Sequence, residues 1–168
     1  MAKPAAKPIP EGFHTVTTHL VMNNAAEAIE FYKKAFGAQE LSRMTGPGGK
    51  IGHAELKIGD SIIFLADEFP GPPGSPKSPH SVGASTATIH LYVPDVDTSF
   101  KKAVAAGARE SMPVTDMFWG DRFGSLTDPF GHTWGIATRK QDLTPQEIEQ
   151  GAKSFWESMQ KQQQRKTA

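Results

Sequence analysis

His19 and His90 recur 71 residues apart in matching settings, Thr17-Thr18-His19-Leu20 and Thr88-Ile89-His90-Leu91. Two imidazoles related by an internal repeat can ligate a metal, move protons or hydrogen-bond a small molecule, because an imidazole ring offers both a donor and an acceptor. A second candidate pair is His53 and Glu55 in His53-Ala54-Glu55-Leu56. Glu55 is the candidate catalytic residue, since a carboxylate facing an apolar cavity is a natural proton acceptor; pairing with Lys57 or Arg122 is the structural alternative. Trp119 and Arg122 flank the Gly120-Asp121 turn and offer an aromatic face and a guanidinium to a planar or anionic ligand. Against that, Trp119 can cap the core while Arg122 pairs with Asp121 or Asp116. His132, after Gly131, reads as a structural hydrogen-bonder, and His14 and His80 have no evident partner. No cysteine occurs, which removes thiolate catalysis, disulfides and sulfur ligands. Gly46-Pro47-Gly48-Gly49-Lys50 lacks phosphate-loop spacing, and no Gly-x-Ser-x-Gly elbow is present.

Alternation and helical periodicity indicate which elements carry these residues. A strand is expected over 15–22, with Val16, Leu20 and Met22 on one face and Thr15, Thr17, His19 and Val21 on the other. Asn23 or Asn24 then caps a helix over 25–36, where Ile29, Tyr32 and Phe36 form a stripe and Gly37 supplies the left-handed stop. Strands follow over 38–45, 50–58 and 61–66, the middle one turning His53, Glu55 and Lys57 away from its core side. The order then repeats: a strand over 86–93, a helix over 95–106 with Val96, Phe100, Ala103 and Val104 aligned, and strands over 108–116, 120–127 and 132–138. Ala87, Ile89, Leu91 and Val93 share the helix-facing parity, as does Trp134. Thr144-Pro145-Gln146-Glu147 is a capping box that starts a last helix, striped by Ile148, Phe155 and Met159.

The domain organisation that follows is a disordered tail over 1–12, a first module over 13–66, a Pro/Gly-rich linker over 67–85, a second module over 86–142 and a C-terminal helix and tail over 143–168. Apolar residues make up 38% and charged residues 21%, and eighteen basic residues balance eighteen acidic ones. That balance provides no field to recruit nucleic acid or an anionic membrane. The first twelve residues contain no apolar run, so neither a signal peptide nor a spanning segment is expected there, and a cytoplasmic location is the default.

Two βαβββ modules with Ala28-Ile29-Glu30-Phe31-Tyr32 in the first helix and Asp128-Pro129-Phe130-Gly131-His132-Thr133-Trp134 before the last strand resemble the vicinal oxygen chelate superfamily of glyoxalases, extradiol dioxygenases and bleomycin- or fosfomycin-resistance proteins. The His53 to Leu56 and Trp119 to Gly124 runs are similar to its PhnB-like glyoxalase/bleomycin-resistance branch. The resemblance spans 13–145. It implies an α+β fold of two tandem βαβββ modules whose curled mixed sheets surround a cavity on the face away from the helices. Metal-using members of the family draw His and Glu ligands from the first and last strands of each module. The matching positions here read as Thr17, Phe64, Thr88 and Gly135, where side-chain donors of the usual kind are missing.

The expected function is therefore binding of a small organic molecule without a resident metal or other cofactor. Thr17, His19, His53, Phe64, Thr88, His90, Tyr92, Trp119, Arg122 and Phe123 are its candidate contacts. The alternative is a metal-dependent lyase or isomerase of glyoxalase type using a relocated His19, His90 and Glu55 set. Open module edges and the long linker lead to an expected homodimer, with exchange of strands or modules between subunits allowed.

Overall fold

The protein, described over residues 4–167 in a computed structural model, is an α+β fold of two four-stranded mixed sheets. Residues 1–3 of the expected tail and Ala168 lie outside the described residues. The first module runs β1 (His19–Met22), α1 (Ala25–Phe36), β2 (Gln39–Thr45), β3 (Ile51–Ile58) and β4 (Ser61–Asp67). After a short helix α2 (Pro79–Val82), the second runs β5 (Thr88–Tyr92), α3 (Val96–Ala105), β6 (Arg109–Asp116), β7 (Asp121–Thr127) and β8 (Thr133–Arg139), and α4 (Pro145–Thr167) closes the chain. The spatial orders, β1-β4-β3-β2 and β5-β8-β7-β6, are identical, with one parallel pair in each sheet, β1 with β4 and β5 with β8.

The repeat extends to irregularities. Register shifts fall between Glu40 and Ser42 in β2 and between Glu110 and Met112 in β6, and an extra residue at such a point bends the strand and increases its twist. Neither sheet closes into a barrel. Each helix starts on the last strand of its own module: Ala25 N donates to Asp67 Oδ1 and Val96 N to Thr138 Oγ1. Asn24 and Asp95 cap the two helices by accepting from Glu27 N and Thr98 N, and Gly37, at φ 68°, ends α1.

One core unites the modules. Tyr32 and Phe36 of α1 meet Trp134 of β8 with ring centroids 5.2 and 4.6 Å apart, and Phe31 lies 6.1 Å from Phe130. At its centre Asp128, 4% exposed, accepts four hydrogen bonds: Tyr32 Oη at 2.6 Å, and Trp134 Nε1, Phe130 N and His132 N at 2.9 Å each. Burial, then the adjacent Asp128 carboxylate, raises the Tyr32 phenol well above its usual value, so it stays a donor.

Several expectations need correction. The first strand begins at His19 rather than Thr15: Thr18 O still accepts from Phe64 N, but the chain then leaves the ladder. Val16 consequently has no layer beneath it and is 84% exposed. Val104 is also exposed, at the margin of the α3 stripe whose buried members are Val96, Phe100 and Ala103. His80 does have a partner, with Nε2 3.1 Å from Pro129 O. The linker is tied back to the end of β4, because Glu68 accepts from Lys77 Nζ and from Ser78 N and Oγ.

The capping box forms as expected, with Thr144 N donating to Glu147 Oε2 and Glu147 N to Thr144 Oγ1. Helix α4 sits on Phe118 through Phe155 at 5.4 Å and leaves Trp156 and Met159 exposed. Among the described residues no helix is long and apolar enough to cross a membrane.

Candidate functional site

Strand parity sorts the candidates. Ala54, Leu56, Leu65, Leu126 and Ile136 are buried against the helices, so their strand neighbours His53, Glu55, Phe64, Phe123 and Gly135 fall on the helix-free faces. On the first sheet His19 pairs laterally with Phe64, which pairs with Glu55 on its other side. The rings of His19 and His53 lie 6.0 and 4.7 Å from Phe64 and 6.4 Å from each other. His53 Nε2 stands 3.6 Å from Glu55 Oε1. Phe13, which the sequence did not single out, completes this cluster 5.7 Å from Phe64. Burial, then the charge of His53, lowers the His19 imidazole below 6.5, so it is neutral at physiological pH and able to accept a hydrogen bond.

The second sheet repeats this arrangement with different residues. His90 stacks on Phe123 at 5.6 Å and 9° and lies 4.8 Å from Tyr92, while Trp119 meets Phe123 edge-on at 6.0 Å. Asp121, 2% exposed, holds this wall together: its Oδ2 accepts from Tyr92 Oη at 2.9 Å and Trp119 Nε1 at 3.1 Å. Its Oδ1 has no hydrogen bond and lies 3.6 Å from Arg139 Nη1. From the chain alone Asp121 is only a candidate partner for Arg122. The available signal was its parity with Phe123, which places it on the helix-free face.

The five histidines of these sheets, the β7–β8 turn and the linker divide by their bonding. The rings of His80 and His132 each bond a backbone carbonyl, that of His132 through Nε2 to Val21 O at 3.1 Å. The rings of His19, His53 and His90 have no hydrogen bond among the described residues, although each touches aromatic neighbours. His19 and His90 both line a groove of about 500 Å³ between the edges of β1 and β5, together with Thr88 and Thr18. Their rings nevertheless belong to separate clusters. Thr17 precedes the ladder, and Thr18 rather than Thr17 enters that groove. Arg122 is not on this face. Its guanidinium makes a two-pronged pair with Asp97 of α3 at 2.7 and 2.8 Å and a third bond to Asp116, on the helix side. The alternative of a structural role for Arg122 describes its position, with Asp97 replacing Asp121 as the main partner.

The donors of one chain do not fit the usual metal centre. The strand ladders place His19 beside Phe64 and His90 beside Gly135, so the residues laterally opposite Phe64 and Gly135 are the histidines, while Thr17 precedes its ladder and Thr88 pairs with Thr133. A Cβ on Gly135 would lie 2.7 Å from Phe123 and 3.1 Å from His90 Nδ1. Aromatic rings thus occupy the place a carboxylate ligand would need. Among the described residues no three His, Asp or Glu side chains gather as a metal site, whereas a structural or catalytic centre draws three or four protein donors to about 2.0–2.2 Å.

Residues 12–136 match the family model for the Glyoxalase/Bleomycin resistance protein/Dioxygenase superfamily. An uncharacterized protein of Mycobacterium bovis is 43% identical over 135 residues, covering 80% of this chain and 89% of its own length. Among solved structures, TioX from Micromonospora sp. ML1 aligns with a TM-score of 0.61 at 26% identity, over 75% of this chain and 98% of its own. The PhnB protein from Bacillus cereus, at 19% identity and a TM-score of 0.58 over 74% and 99% of the two chains, shares the fold. The duplicated module, its strand order and the family match agree, and the chain belongs to the Glyoxalase/Bleomycin resistance protein/Dioxygenase superfamily.

Proposed function

We propose that this protein binds a small, partly aromatic organic molecule on its helix-free faces, without a metal, and that a second copy of the chain covers the open sheets. The observation that carries the reading is the set of three imidazoles, His19, His53 and His90, that have no hydrogen bond among the described residues while standing in aromatic walls. Directional polar groups set in an apolar, concave surface are what small-molecule sites present. Phe64, Tyr92, Trp119 and Phe123 provide stacking area, and Asp121 fixes two of those rings in place. The open edges of β1 and β5 and the unclosed sheets support the homodimer.

Titrating the full-length protein with indole, quinoline and 2-naphthol, and following tryptophan fluorescence, tests this. Saturable quenching that is indifferent to EDTA and lost in Trp119→Phe and His90→Ala supports a metal-free binder. No saturation with any of the three counts against the site.

A second reading rests on the 3.6 Å approach of His53 to Glu55 in the His19 cluster. A metal-dependent lyase or isomerase built on His19, His90 and Glu55 would need a second copy to bring a His90 to that cluster. Elemental analysis distinguishes the two. About one divalent ion per site, lost in a His19→Ala/His90→Ala double variant, with activity restored by one cation after chelation, would favour the lyase or isomerase.

A further inference from the structure

The internal repeat is broken at one place, and a cleft lies there. In the second module the turn from β7 to β8 is long, running from Asp128 to His132, and it fills its side of the module junction. Phe130 meets Phe31 of α1, and His132 reaches Val21 of β1. In the first module the equivalent turn from β3 to β4 is only Gly59-Asp60. At the repeat spacing of 71 residues, Phe31 is replaced in α3 by Lys102. Opposite the filled side, therefore, neither the inserted aromatic ring nor the ring that receives it is present.

What remains is a cleft of about 700 Å³ between the Gly59-Asp60 turn, the end of α1, β5 and α3. That volume lies in the range of sites for small organic ligands. Phe36, Leu91 and Ile136 form an apolar floor, with Ser99 and Lys102 on the α3 wall and Asp60 on the opposite rim. The Lys102 ammonium makes no ion pair or hydrogen bond among the described residues, and neither does the Ser99 hydroxyl. β5 is an edge strand, so the cleft borders the aromatic face through His90 and Tyr92. Phe123, by contrast, belongs to the aromatic face alone.

We infer that this cleft is a second binding site, for a small amphipathic carboxylate whose apolar body takes the place that Phe130 fills across the junction and whose anion meets Lys102 and Ser99. An unpaired cation beside an apolar floor selects for one negative charge at the end of a hydrocarbon body, and Asp60 turns that charge toward α3. This site shares the rim residues His90 and Tyr92 with the one proposed on the helix-free faces, but its floor and its cation are distinct and the inference does not depend on that proposal.

The test uses octanoate and 1-octanol as matched probes, with binding to the full chain read by NMR chemical-shift titration. Octanoate is expected to bind the tighter, and Lys102→Met to weaken it by about tenfold while leaving octanol unchanged. Lys102→Arg should retain octanoate, Ser99→Trp should block both probes, and Phe123→Ala should affect neither. Lys102 is exposed and Ser99 half-buried, and matching thermal melts identify the variants that remain folded. Equal affinity for the two probes, indifference to Lys102→Met in a folded variant, or binding that survives Ser99→Trp would each overturn the inference.

Discussion

Replacing Asp128 by asparagine removes the charge that four donors share at the junction of the two modules. Hydrogen bonds to a charged group contribute about 1.5–3 kcal/mol each, and a buried donor left without an acceptor costs about 1–3 kcal/mol. Asparagine keeps one oxygen, which can still accept from Phe130 N and His132 N. Its amide nitrogen then faces Tyr32 and Trp134. The tyrosine hydroxyl can rotate to accept, but the indole N–H can only donate, so one buried donor is orphaned and the remaining bonds lose their charge assistance. The expected loss is about 2–4 kcal/mol, which for a chain of this size lowers the melting temperature by roughly 5–15 °C. Tyr32→Phe removes one of the four donors and leaves the carboxylate three partners, so its expected cost is about 1–2 kcal/mol. Urea unfolding of the two single variants and the double variant gives the coupling, expected to reach about 1 kcal/mol because both residues share one buried bond. An Asp128→Asn variant within about 0.5 kcal/mol of the parent, or strictly additive effects with Tyr32→Phe, would refute the view that this carboxylate locks the modules together.

Gly135→Ala places a Cβ 2.7 Å from Phe123 and 3.1 Å from His90; overpacking is expected to cost about 1–3 kcal/mol in urea unfolding and to weaken aromatic probes that stack on Phe123. Burial lowers the His132 imidazole below 6.5, outweighing the pull of Asp128 in the opposite direction and aided by His80. The unfolded chain therefore binds the extra proton first: stability is full above pH 6.5 and falls as pH drops through the lowered folded value. Melting temperatures followed from pH about 7 to 5 should decline less in His132→Gln than in the parent if this histidine carries the effect. Arg122→Met should leave probe affinity unchanged, because its guanidinium serves Asp97 and Asp116 on the helix side; a loss of about tenfold would return Arg122 to the binding face.

The module order, the limits of α1 and α3 and the parity of almost every strand were legible in the sequence, whereas α2 was not foreseen and α4 runs to Thr167, past the expected end near Gln160. Each legible feature depends on local information, namely alternation in strands, an i, i+3, i+7 stripe in helices, and caps such as Asn24 and Thr144. Legibility failed where a side chain answers to a distant element. Arg122 stands two residues from Gly120 in a turn motif, yet its partner is Asp97, on a helix 25 residues earlier. Asp121 looked like a turn residue and is instead the buried brace of Tyr92 and Trp119. Val16 continues the alternation of its strand, but where the ladder stops depends on its neighbour and not on its own pattern.

The duplication, the absence of thiol chemistry and the choice of residues at the first and last strand positions belong to the sequence alone, because they follow from identity and spacing. Which histidines are structural and which face a ligand was decided only by the tertiary structure. His132 and His80 find carbonyls 111 and 49 residues away, whereas the rings of His19, His53 and His90 find none among the described residues. The cleft at Lys102 arises the same way: a two-residue turn and a lysine are unremarkable in the chain, and they leave a cavity only once the two halves are set against each other. Local propensity acts over a few residues, while burial and hydrogen-bond satisfaction are settled by whatever the folded chain brings alongside.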